Sequence, residues 1–242
     1  MVLPLIIGAI TAASSAIVSA VSTIGVAVSS FAASVGPMLA DAIQTLKPLA
    51  EAISKFANAF LQNLSILKPG ETIESMGERA LQAAAQGIKL ENSDSFVDYM
   101  QELRDLKLDP ELEKNRSPAE KLLAGISIAT IGLEDKFNAN HGSFNGVWLL
   151  PLVNPQYFTP ERMQSLVSAG KLGGDIYAYL EKRLSGGEAR SFEKGLEVGA
   201  DGKPLNDPGL DKLYGALDGA REKWADLNKQ VEAKNNPSQG GL

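Results

Sequence analysis

Residues 1–40 read MVLPLIIGAITAASSAIVSAVSTIGVAVSSFAASVGPMLA and contain no charged side chain. Apolar residues recur in them every seven positions. Leu3, Ile10, Ile17, Ile24, Phe31 and Met38 form one series. Ile7, Val21, Val28, Val35 and Ala42 form a second, with Ser14 as its polar member. The two series are offset alternately by three and four residues, the a/d spacing of a coiled-coil seam. The positions between them are almost all Ala, Ser, Gly or Thr, where a coiled coil in water carries Glu and Lys. Such a helix needs lipid, further helices or the wall of a tube against it. Three readings follow: a partner-binding coiled coil, an oligomer inserted in a membrane through small-residue interfaces, or a pair of core helices in an ordinary soluble bundle. The third is weakened because the rest of the chain supplies few long helices to cover so much uncharged surface.

Outward from this stretch, Gly36-Pro37 interrupts the helix. Leu46, Leu49, Ile53, Phe56, Phe60, Leu64 and Leu67 then continue the apolar pattern to a stop at Lys68-Pro69-Gly70. Residues 1–70 carry three lysines against two carboxylates, a formal +1. The remainder therefore holds −7 of the total of −6. An acidic remainder lacks the basic patch of a duplex-binding surface. The stretch is unlike a secretory signal, because the first basic residue is Lys47. As a helix, residues 3–35 would span roughly 50 Å, more than a bilayer core of about 30 Å. The serines and threonines make it a poor single span.

Past residue 70 the pattern predicts short helices. One runs from Ile73 to near Gly87, and another carries Phe96, Val97, Met100 and Leu103 behind a Ser93 or Ser95 cap. Ser117-Pro118-Ala119-Glu120 is a helix start with a capping box. The run from Leu122 to Leu133 is apolar nearly all round, which predicts a buried helix. Residues 134–158 are the least helical. Val147 to Val153 has the composition of a short strand, against which Pro151 argues. Helices follow from Thr159-Pro160-Glu161 to Gly170, between Gly173-Gly174 and Gly186-Gly187, and from Asp207-Pro208 through Trp224 to Val231. Residues 235–242 read as a disordered tail. The fold expected is all-α: a long, coiled-coil-like N-terminal rod or hairpin over 1–70, then a compact helical body over 71–234 that folds without the rod.

Chemistry-bearing motifs are few. The chain has no cysteine, which excludes disulfides and thiolate chemistry, and one histidine, His141, in a loop. Asp201-Gly202-Lys203 with Asn206 and Asp207 does not meet the calcium-loop pattern and reads as a turn. Glu134-Asp135-Lys136-Phe137-Asn138 followed by Gly146-Val147-Trp148-Leu149-Leu150-Pro151 resembles the Glu-Ser-x-Phe-Asn and Gly-Leu-Met-Gln motifs of lytic transglycosylases. In that family the Glu follows an apolar helix and protonates a glycosidic oxygen, and Glu134 does follow one. Here Asp135 replaces the Ser, Leu149 occupies the Gln position and the Pro comes one residue early. No catalytic residue, metal ligand or cofactor is assigned.

In organisation the chain resembles bacteriophage internal virion proteins, the ejection proteins and tape-measure segments. The features that carry this are the Ala-, Gly- and Ser-rich uncharged helix, the absence of cysteine and the absence of a basic signal. The resemblance implies a virion location, and the host envelope after ejection. It implies a conduit for genome delivery built of copies of this chain with other virion proteins, touching DNA only non-specifically and taking no small-molecule substrate. A membrane is a further candidate surface. Leu3, Ile7, Ile10, Ile17, Val21, Ile24, Val28, Phe31, Val35 and Met38 would face partner helices or lipid. The alternatives are a secreted α-helical pore-former or translocator and, third, a degenerate lytic-transglycosylase-like enzyme.

Overall fold

A computed structural model describes residues 12–199 and 201–235. These form thirteen α-helices, with one isolated bridge, Val198 to Pro204, in place of any sheet among the described residues. The first four are α1 (Ala12–Ser22), α2 (Val26–Ser34), α3 (Gly36–Thr45) and α4 (Lys47–Asn63). The middle of the chain gives α5 (Ile73–Ala85), α6 (Phe96–Asp105), α7 (Pro110–Lys114), α8 (Pro118–Lys136) and α9 (Leu149–Val153). The last are α10 (Pro160–Ser168), α11 (Ile176–Leu180), α12 (Gly186–Gly195) and α13 (Asp207–Asn235).

α8 is the post around which the rest is built. The expected capping box forms: Glu120 N–H donates to Ser117 Oγ at 3.2 Å, and Ser117 N–H donates to the Glu120 carboxylate at 2.8 Å. Every residue from Leu122 to Glu134 is buried. The two hydroxyls within this run, Ser127 and Thr130, donate to the carbonyls of Leu123 and Ile126 one turn earlier, so neither is left unpaired in the core. α5 crosses α8 at a point where neither helix has a side chain. A Cβ on Gly77 would lie 1.9 Å from Lys121 O, and one on Gly125 would lie 2.0 Å from Ile73 O. Beside the crossing, the buried Glu78 carboxylate is met by Gln82 Nε2 at 2.7 Å, Arg116 at 3.3 Å and Lys121 at 3.7 Å.

The remaining sides of α8 are covered by α1 to α4 and α6. Over the described residues the N-terminal part is thus not a continuous rod. It turns at Thr23–Gly25 and bends by 66° between α2 and α3, at the break foreseen at Gly36-Pro37. The physical reason is geometric. A straight helix touches α8 over a short crossing, whereas three short helices wrap it. Pro37, which has no N–H, ends one helical ladder and starts the next. α2 has no side-chain cap of its own, and Glu91 supplies one from 65 residues away, accepting from Val26 N–H at 3.3 Å.

The seam residues are consequently used inside the chain. Ile17, Val21, Ile24, Val28, Phe31 and Val35 are all buried in it, and Met38 packs partly buried against it. In the folded chain they face the core rather than a partner or lipid. Leu3, Ile7 and Ile10 lie outside the described residues. Ser14, the polar member of its series, is buried against the Asp41 carboxylate, which accounts for its place in an apolar series. A single hydrophobic cluster runs from Ile17 through Phe60, Leu123 and Trp148 to Leu227, with no break in the core at residue 70.

Three local expectations change. Val147 to Val153 gives a helical turn, α9, in which Pro151 is buried. α7 was not foreseen. Gly186-Gly187 begins a helix instead of ending one, because Ser185 and Glu188 form a second capping box. The tail lies outside the described residues, save Asn235, which ends α13.

Candidate functional site

A groove of about 860 Å3 lies beside the C-terminal end of α8. One wall is the segment Phe137–Gly146. The other runs from Val167 at the end of α10 through Gly170, Gly173 and Gly174 to Tyr177 in α11, and Ser34 and Val35 close an end.

The first wall is fixed by how α8 stops. Asn138 takes a left-handed φ of 46°, and Ala139 N–H returns to Glu134 O at 2.9 Å, closing the last turn. The Glu134 side chain then reaches forward into the loop. Its Oε1 accepts from Gly142 N–H at 2.7 Å, and its Oε2 lies 2.9 Å from His141 Nδ1. Gly142 has φ 87°, and turn bonds join Ser143 N–H to Asn140 O and Asn145 N–H to Gly142 O. Gly146 touches the opposite wall, since a Cβ there would come 3.0 Å from Ile176 Cβ. Beneath it the buried Trp148 donates from Nε1 to Thr130 Oγ1 at 2.8 Å. Its ring meets Phe56 and Phe60 edge-on.

Glu134, the residue matching the transglycosylase acid, therefore has both carboxylate oxygens engaged by its own loop. Its side chain is 6% exposed, while His141 is 46% exposed and shields it. This geometry suits a clamp on the groove wall. Glu134→Ala should cost about 1–3 kcal/mol, because it strands the Gly142 N–H. Glu134→Gln, which keeps one acceptor, should cost less. Denaturant midpoints measure both, and a zymogram in which wild type clears peptidoglycan and Glu134→Gln does not would assign the residue to catalysis instead.

The groove is nearly free of charge. Its ionisable lining groups are Asp175, whose Oδ1 caps α11 by accepting from Ala178 N–H at 2.9 Å, and Tyr177. Burial, and then the Glu181 carboxylate at its hydroxyl, push the Tyr177 phenol up to about 12, so it stays neutral near pH 7. Among the described residues no group of His, Asp and Glu side chains is placed to hold a metal ion.

Comparison with family models, with curated proteins and with solved structures gives no match in any of the three. The groove was only half visible in the sequence. Its first wall is the Asn- and Gly-rich stretch singled out as least helical. The second wall carried no motif, and the contact from Asn145 Nδ2 to Ser34 Oγ at 2.9 Å spans 111 residues.

Proposed function

We propose that this chain is a bacteriophage virion protein whose uncharged N-terminal segment packs against copies of itself in a conduit through the host envelope. One observation carries the reading. The side of α1, α2 and the turn between them that faces away from the core exposes Ser15, Ser19, Thr23, Val26, Ser30 and Ala33, without one charged group. Val26 is 75% exposed. The outer face of a helical layer in water ordinarily carries Lys and Glu, whereas small residues suit close helix packing. The acidic remainder of the chain agrees with a conduit, because it repels phosphate and lets DNA slide.

The same observation fits a pore-former, and one feature favours that second reading. Among the described residues no single helix is long and apolar enough to cross a membrane. The bent pair Val26–Ser34 and Gly36–Thr45 meets the length and composition requirement together.

The test uses outward substitutions. Ile17→Asp would damage the core, but Ser19→Glu with Ala33→Glu leaves it intact. Wild type should form oligomers by analytical ultracentrifugation and float with liposomes in a concentration-dependent way. The double variant should lose both at an unchanged melting temperature. Wild type that remains monomeric and never floats would defeat both readings, and dye release by the protein alone would select the pore-former.

A further inference from the structure

We propose that the groove between Phe137–Gly146 and Val167–Tyr177 is a binding site for an uncharged, hydroxyl-rich ligand, a segment of neutral oligosaccharide. The inference stands apart from the conduit reading, since it uses neither the outer face of α1 and α2 nor the membrane.

The argument starts from charge. No Lys, Arg or Glu lines the groove. An anionic ligand would find no cation there, and the one carboxylate, Asp175, already accepts a backbone N–H. A cation would find a single partly used ligand. The volume of about 860 Å3 falls in the range of sites that enclose a ligand of several rings.

The wall chemistry narrows the class. Asn138, Asn140 and Ser143 stand exposed on the first wall, and among the described residues their side chains have no hydrogen-bond partner. Asn145 uses half its amide: Nδ2 donates to Ser34 Oγ, while Oδ1 has no donor among the described residues. Amides and hydroxyls both donate and accept, as sugar hydroxyls do. The partly buried Phe137, held edge-on by the buried Phe144 at 6.2 Å between centroids, adds an apolar surface of the kind the C–H face of a pyranose covers.

These groups are also held in place. The loop that carries them has two left-handed residues, two turn bonds and the Glu134 clamp behind it. A wall fixed before binding loses little entropy on binding, which is what a weakly attractive neutral ligand requires.

The full-length chain is titrated by calorimetry and saturation-transfer NMR with maltohexaose, chitohexaose and a β-galactan oligosaccharide, and separately with inorganic phosphate and polygalacturonate. At least one neutral oligosaccharide should saturate a single site, with an affinity unchanged by salt because no charge is screened. Asn140→Ala with Ser143→Ala, both exposed, should weaken it at least about tenfold, about 1.4 kcal/mol, at an unchanged melting temperature. Failure of every neutral oligosaccharide to saturate overturns the proposal. So does binding that the double variant leaves intact, or saturation by phosphate or polygalacturonate alone.

Discussion

Gly125→Ala should lower the stability of the folded chain by about 3 kcal/mol, although alanine is the better helix former. In an open helix the exchange gains up to about 1 kcal/mol. At this position the new methyl would stand 2.0 Å from Ile73 O and 2.7 Å from Ile73 Cγ1. The first of these is backbone and has no rotamer to escape through. α5 and α8 must separate, and overpacking of that kind costs about 1–3 kcal/mol, occasionally more. Gly77→Ala is worse placed, with Lys121 O at 1.9 Å and Gly125 N at 2.6 Å. Gly215 and Gly219 in α13 are the controls, because nothing lies within 4 Å of a Cβ at either. Alanine there should stabilise by about 0.5–1 kcal/mol each. Urea midpoints at constant m-value give all four numbers. A neutral Gly125→Ala would mean that the two helices do not meet through their backbones.

Removal of residues 1–70 should abolish the native core. The deletion takes α1 to α4 away from α8, removes Phe56 and Phe60 from the ring of Trp148 and strips Phe31 and its neighbours from the shared core. Truncating one large buried side chain costs about 3–5 kcal/mol. Here four helices leave together, against a total stability of about 5–15 kcal/mol for a typical chain. The product should keep helical far-ultraviolet dichroism, lose its near-ultraviolet signal, bind ANS and melt without cooperativity. A sharply melting fragment 71–234 would restore the two-part architecture that the sequence suggests.

The contrast between that architecture and the structure has a physical origin. Periodicity reports that a helix has an apolar face; it does not say what covers it. The cap at Ser117, the break at Gly36-Pro37 and the burial of Leu122–Leu133 are local properties, and they were legible; the last helix starts at Asp207 as the pattern suggests, but its cap is Asn206, whose Oδ1 accepts from Gly209 N–H at 3.0 Å. The partner of each face was not. Yet a helix that is apolar all round and a segment without charge occur in the same chain, and each solves the other's solvation problem. Reading them jointly points to the wrapped core. The glycines at 77 and 125 sit in helical patterns where glycine is costly, a signal of close approach. Nothing in the sequence pairs them. The candidate groove escaped for a similar reason, since its walls come from three separated segments and only Glu134 and its loop resemble a motif.

The crossing of α5 over α8 has a mechanical consequence. Most helix pairs touch through side chains, which change rotamer and let the helices slide or roll by an ångström or two. Where Gly77 and Gly125 meet, peptide rests on peptide and no such gearing exists. The pair is a rigid spine, and motion within the fold is displaced to the layers hung upon it. The N-terminal helices are seated on that spine, so a shift among them is taken up in their own side-chain contacts and not by α5 sliding along α8.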